Sequence, residues 1–159
     1  MQSKFSRLSY TSVNARLVLV GSGGCLENET KEMVEKKGLK DKICFLGTRK
    51  DVECLMCAMD IFLFPSFMEG LSVAMLEAQC AGLKCVVSDT IPREVEKTDL
   101  ISFVSLNKSP EYWADEILKA SQTAHDRTIY PATIAQVGYD IKLNAEWLQN
   151  LYIELWQKH

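Results

Sequence analysis

The chain has 159 residues, of which 47% are hydrophobic and 25% charged, and its formal net charge is −3. That suffices for an ordinary domain with a real core, excludes a disordered chain, and argues against a nucleic-acid surface. No apolar run approaches the ~20 residues of a membrane span, and no secretory signal precedes the first strand, so a cytoplasmic setting is expected.

Residues 1–14 (MQSKFSRLSYTSVN) are polar and weakly patterned, a poorly defined lead-in. Arg16–Val20 (RLVLV) is the first predicted strand, followed by Gly21–Gly24 (GSGG). Glycines after a strand allow a tight turn and close approach of a ligand. The run is not a complete G-x-G-x-x-G, and no acidic residue is placed for a dinucleotide ribose, so a dinucleotide site is disfavoured. Glu27–Lys37 reads as a charged surface helix with Met33 and Val34 inward and Gly38 as its stop. Ile43–Leu46 is the second strand, and Gly47 opens a turn through Thr48, Arg49 and Lys50. A short helix follows, with Val52, Leu55, Met56 and Met59 at helical spacing as core and Asp51 at its N-terminus, where a negative charge is favoured.

Cys54 and Cys57 form a C-x-x-C within that helix. No second pair stands at zinc-finger spacing, so no metal site is expected. Of the six cysteines, Cys44, Cys80 and Cys85 lie in apolar patterns and read as reduced core thiols.

The segment Asp60–Asp89 (DIFLFPSFMEGLSVAMLEAQCAGLKCVVSD) reads as strand, acidic loop, helix, strand. Ile61–Phe64 is an unbroken apolar run, expected to be buried on both faces of a parallel sheet, and Pro65 ends it. A helix is predicted from about Leu71 to Ala81, with Gly82 as its stop, and Lys84–Val87 restarts a strand. Val73, Leu76, Cys80 and Ala81 form the predicted apolar stripe of the helix, with Glu77 beside it. A charge there must snorkel to the stripe edge, pair with a cation such as Lys84, or meet a ligand. Residues 92–99 are a charged connection, and Ile101–Val104 is the last strand. Ser109 and Pro110 form a helix start, with Trp113, Ile117 and Ala120 inward. Residues 122–138 are mixed, with Pro131 as a breaker. Asp140 is placed to cap a C-terminal helix over residues 140–159. That helix is apolar on two faces: Ile141, Leu148, Tyr152 and Leu155 on one, Leu143, Trp147 and Leu151 on the other. Two such faces suggest contact with more than one surface. The expected fold is a Rossmann-like three-layer α/β/α domain with about five mostly parallel strands.

Glu69 and Glu77 stand with seven residues between them within PSFMEGLSVAMLEAQCAGLKCVVSD. With Pro65, Ser66, Gly70, Leu76, Ala78, Ala81 and Gly82 in place, this segment resembles the donor-site signature of retaining glycosyltransferases of the two-domain GT-B architecture. The family carries a Glu-x7-Glu pattern in that context. The similarity extends through LVLVGSGG and ICFLGTRKDV over roughly residues 14 to 120, and is nearest in flavour to bacterial enzymes that build capsular or extracellular polysaccharide.

The resemblance implies that the chain is the C-terminal, nucleotide-sugar-binding domain, one half of a GT-B fold, with the N-terminal acceptor domain absent. It implies Glu69 as the catalytic residue, binding hexose hydroxyls and offsetting positive charge at the anomeric carbon, and Glu77 as the acceptor from the ribose hydroxyls. Gly70, Leu71 and Ser72 would meet the diphosphate. The turns at Gly21, Gly23 and Thr48 would lie by the nucleotide, and Arg49 could reach a phosphate or the base. The donor would be a nucleoside-diphosphate hexose, with uridine diphosphate expected and no cofactor or obligatory metal. The acceptor would be a glycan or a lipid-linked sugar, met through the other domain, and the full-length parent would lie peripherally at a membrane.

The family's donor domain opens with a strand and a loop carrying an Arg and a Lys for the diphosphate. No such segment is recognised before LVLVGSGG. That strand would lie at the sheet centre, in the order 3-2-1-4-5-6. The centre of the sheet is therefore the weakest part of the expected fold, and the isolated chain is expected to bind donor weakly and transfer little. The alternatives are a non-catalytic nucleotide-binding or interaction module, a sugar-nucleotide epimerase of the same architecture, and, least favoured, a dinucleotide-dependent reductase.

Overall fold

The computed structural model describes residues 14–22 and 26–158. The lead-in up to residue 13, together with Gly23, Gly24 and Cys25, lies outside the described residues. Two compact units divide the chain, the first ending at Val52 and the second starting at Glu53.

In the first unit, β1 (Leu17–Val20) pairs in parallel with β2 (Ile43–Gly47), and α1 (Glu27–Lys36) connects them. The helix ends where Gly38 takes a φ of +66°, as its stop signal predicts. Only Val34 of α1 is buried; Met33, expected inward, is exposed. Cys44, expected in the core, is exposed as well.

The second unit holds β3 (Ile61–Phe64), β4 (Lys84–Ser88) and β5 (Ile101–Val104), parallel and in that order. Helix α2 (Val52–Ala58) starts at the boundary and precedes β3. Helix α3 (Val73–Cys80) links β3 to β4, and α4 (Pro110–Gln122) follows β5. Then come α5 (Tyr130–Ile134), a wide turn at Ala135–Tyr139, and α6 (Ile141–Gln157). Helix α3 packs on β4 and α5, and α4 packs on β3 and β4.

All five predicted strands form and every pairing is parallel, but they make two sheets, β1–β2 and β3–β4–β5. No described residue supplies a strand that pairs with β1 or β3 on its other edge. This changes the expected burial of β3. As an edge strand it is half-buried along its whole length, and the middle strand β4 carries the core instead, with Cys85, Val86, Val87 and Ser88 fully buried.

The seat of α3 departs from the predicted stripe. Met75, Leu76, Ala78 and Gln79 are buried, whereas Val73 is 65% exposed. The signal missed in the sequence is Gln79, a polar residue inside the core. Its amide nitrogen donates to the carbonyls of Met75 (3.1 Å) and Val95 (2.9 Å). Its amide oxygen accepts from the Lys97 N–H (3.0 Å) and the Thr98 hydroxyl (2.9 Å). The charged connection after β4 is thereby tied down: it forms a 3-10 turn at Arg93–Val95 with Val95 buried. A buried amide is tolerated only with its donors and acceptors satisfied, and this one is.

The other end of α3 is closed by Arg127. Its guanidinium donates to Ala81 O (2.7 and 2.9 Å), Met59 O (2.9 Å) and Met56 O (3.0 Å), carbonyls at and just beyond the C-terminal ends of α2 and α3. A cation is favoured there because those ends carry unpaired carbonyls and the negative end of the helix dipole. Gly82, with φ +68°, lies so close that an added Cβ would stand 2.7 Å from Arg127 Cβ. His125 Nε2 lies 2.8 Å from Gly82 O.

Two further expectations divide. Ser109 caps α4 by accepting from Tyr112 N–H, and Asp140 caps α6 by accepting from the N–H groups of Lys142 and Leu143. Pro131 does not break structure; it stands in the first turn of α5, where its missing N–H costs nothing. No residue of α6 is fully buried, and both of its apolar faces are largely exposed.

Replacing Gln79 with Leu keeps the volume but orphans the Val95 carbonyl and the Lys97 N–H. We predict a loss of about 2–4 kcal/mol in urea unfolding, against about 0.5 kcal/mol or less for the exposed Glu77→Ala. Equal midpoints for the two variants would refute this account of how α3 is seated.

Candidate functional site

The second unit places Glu69 and Glu77 at the start and on the open side of one helix. β3 ends at Phe64, and Pro65, lacking an N–H, takes the chain out of the ladder. The Ser66 carbonyl then accepts from two hydroxyls, those of Ser88, the last residue of β4, and Thr90 (2.9 Å). Ser66 Oγ lies 2.9 Å from Glu69 Oε1 and 3.3 Å from Met68 O. Glu69 is half-buried, whereas Phe67, Met68 and Gly70 are exposed.

Helix α3 opens at Val73, two residues later than expected, with Ser72 as N-cap in extended backbone. The Ser72 side chain makes no capping hydrogen bond and the first turn holds no acidic residue. The first-turn N–H groups that any helix leaves open therefore have neither a side-chain cap from Ser72 nor an acidic residue within the turn itself. Leu71 is half exposed, and at Gly70 an added Cβ would meet nothing within 4 Å. Space alone thus does not require glycine at that position.

Glu77 points outward. Burial of Met75, Leu76, Ala78 and Gln79 turns positions 73 and 77, one helical turn apart, to the open side. Among the described residues no cation lies within salt-bridge distance of Glu77, so the expected alternative of a pair with Lys84 is not formed.

In the first unit the turns after β1 and β2 come together. Gly21, at φ +126°, donates its N–H to Gly47 O (2.8 Å), and Ser22 Oγ lies 2.7 Å from Thr48 Oγ1. Gly23 lies outside the described residues. Arg49 is exposed and makes a two-pronged pair with Asp51, Nε to Oδ1 at 2.8 Å and Nη2 to Oδ2 at 2.7 Å. The pair raises the Arg49 pKa and lowers that of Asp51, chiefly through these hydrogen bonds. Asp51 thus offsets Arg49 as well as standing before α2.

Among the described residues no group of three or more His, Cys, Asp or Glu side chains is arranged to hold a metal ion. No helix of the described residues is long and apolar enough to cross a membrane.

A family model for glycosyl transferases group 1 matches residues 3–123. The chain belongs to that family. It is 35% identical over 149 residues to EpsF of Bacillus subtilis, whose name assigns it provisionally to the glycosyltransferases; the match covers 92% of this chain and 38% of EpsF. It is 27% identical over 150 residues to the UDP-Gal:alpha-D-GlcNAc-diphosphoundecaprenol alpha-1,3-galactosyltransferase of Escherichia coli, covering 87% of this chain and 36% of that enzyme. The chain thus spans under two fifths of the length of these relatives. Among solved structures, sucrose-phosphate synthase from Thermosynechococcus elongatus superposes with a TM-score of 0.70 at 19% identity, covering 91% of this chain and 39% of that one. Anabaena HepE in complex with UDP and glucose gives 0.65 at 22% identity, covering 86% and 40%. These likenesses show the Rossmann-like α/β fold of GT-B glycosyltransferases.

The thiols of the second unit provide a direct check on which faces of its elements are buried. Cys54 and Cys57 are exposed on α2. Burial pushes the Cys85 thiol up to about 12. Since the thiolate is the reactive form, iodoacetamide at neutral pH is expected to modify Cys54 and Cys57 in the folded chain and Cys85 only after unfolding, read by peptide mass spectrometry. Labelling of Cys85 at the rate of Cys54 in the folded chain would contradict this placement.

Proposed function

We propose that this chain is the nucleotide-sugar-binding domain of a retaining hexosyltransferase, with UDP-hexose as donor. One observation carries the reading: a helix N-terminus with no side-chain cap and no acidic residue in its first turn follows a half-buried carboxylate, Glu69, and precedes an outward carboxylate, Glu77, that has no cation within salt-bridge distance among the described residues. The N–H groups around Leu71 and Ser72 and the positive end of α3 suit a diphosphate. Glu77, a pure acceptor when ionised, takes hydrogen bonds from the two ribose hydroxyls. Glu69 takes the hexose hydroxyls and offsets positive charge at the anomeric carbon as the bond to the diphosphate breaks. The helix end stabilises the departing diphosphate, and the reaction needs no metal.

Support for the donor comes from the relatives. The Escherichia coli enzyme is named for a UDP-galactose donor and a diphosphoundecaprenol-linked acceptor. Solved complexes of Anabaena HepE contain UDP, and one contains UDP-glucose. The acceptor in this reading is a glycan or lipid-linked sugar in bacterial surface polysaccharide synthesis. It is met by a second domain on the cytoplasmic side of the membrane, so this chain alone binds donor weakly and transfers little.

Calorimetric titration with UDP tests the reading. Saturable binding is expected, weakened about tenfold or more by Glu77→Ala, since hydrogen bonds to a charged group are each worth about 1.5–3 kcal/mol. GDP and ADP in the same titration test the base. A folded chain that shows no saturable binding of UDP would overturn the proposal.

A further inference from the structure

We propose that Ser66, held through its own carbonyl by Ser88 and Thr90, is the positioning residue that sets the direction of Glu69. The inference rests on the donor-site reading above for what Glu69 does, but its geometry is independent of any ligand.

Pairing of β3 with β4 ends at Phe64 and Val87. Two residues later the Ser66 carbonyl has left the ladder, and a carbonyl in that position needs another donor or water. Ser88, fully buried, supplies one hydroxyl, and Thr90 supplies a second at 2.9 Å. The two hydroxyl oxygens stand 3.0 Å apart, so both sit on one side of that carbonyl. The backbone at Ser66 is thereby pinned to the end of the middle strand, the most buried strand of the unit.

From that fixed point the Ser66 side chain faces two acceptors, Glu69 Oε1 at 2.9 Å and Met68 O at 3.3 Å. A hydroxyl has one proton to give. The shorter contact goes to a carboxylate, and a charge-assisted bond is the stronger, so the proton goes to Glu69. Neither neighbour of Glu69 hinders its movement: Met68 and Gly70 are exposed. Among the described residues, the Ser66 hydroxyl is the one hydrogen-bond partner of the Glu69 carboxylate. A long, otherwise free glutamate would explore several rotamers and lose that freedom on binding. Ser66 removes part of that loss before the donor arrives, which is the physical content of preorganisation. One carboxylate oxygen is occupied by Ser66, and lone pairs remain on both oxygens for sugar hydroxyls.

The test compares affinities for UDP and UDP-glucose in the wild-type chain, Ser66→Ala, Ser66→Thr and Glu69→Ala. The readout is the ratio of the two affinities, which isolates the hexose contact. Ser66→Ala is expected to reduce that ratio about tenfold, Ser66→Thr to restore most of it, and Ser66→Ala added to Glu69→Ala to change nothing further. A ratio unchanged by Ser66→Ala but lost in Glu69→Ala would overturn the positioning role while leaving the donor site intact. Side-chain NMR relaxation of Glu69 in the ligand-free chain decides the matter if UDP and UDP-glucose bind equally or not at all. Glu69 order that falls in Ser66→Ala and is kept in Ser66→Thr supports the proposal even where the donor reading fails. Equal order in Ser66→Ala and wild type overturns it.

Discussion

The buried amide of Gln79 holds together the part of the molecule that matters here. Its two donors and its oxygen are all used, on α3 itself and on residues 95–98. Burying such a group without partners would cost several times what one hydrogen bond returns. The rotation of α3 about its axis is therefore not free: Gln79 must face the 95–98 segment. Met75, Leu76 and Ala78 go inward with it, and Val73 and Glu77 are turned out. The direction of the glutamate proposed to bind the ribose is thus a consequence of a glutamine in the core.

The same helix is fixed at its far end by Arg127. One guanidinium satisfies carbonyls at the ends of both α2 and α3. Gly82 allows this because any Cβ there would collide with Arg127. The helix is therefore held at its C-terminal end and along its buried face, while its N-terminal end is left without a side-chain cap. Stabilising groups are concentrated away from the end that faces a ligand in our proposal. That distribution lets an open helix end persist in a stable unit, since the open N–H groups remain solvated until an anion replaces water.

The site also depends on the strand ends. β4, buried along nearly all its length, delivers Ser88 and then Thr90 to the carbonyl of Ser66, and Ser66 in turn reaches Glu69. A loop residue so placed inherits the rigidity of the sheet's middle strand. Sites at strand C-termini in parallel sheets gain their geometry in this way.

Sequence by itself determined the alternation of strands and helices, because apolar runs such as Ile61–Phe64 and stops such as Pro65, Gly38 and Gly82 act locally. It determined the caps at Ser109 and Asp140 for the same reason: each is a side chain bonding to backbone two or three residues away. The glutamate pair and its context also lie within one short segment, so they too were legible. Tertiary structure alone decided which faces are buried. Val73 was read into the apolar stripe because its hydrophobicity is local information, whereas the partners that draw Gln79 inward lie 16 to 19 residues away. The half-burial of β3 was likewise invisible, since an apolar strand becomes an edge only through the pairings it lacks. Arg127 gave no signal, because its acceptors are backbone carbonyls 46 to 71 residues distant, and every residue type presents the same carbonyl.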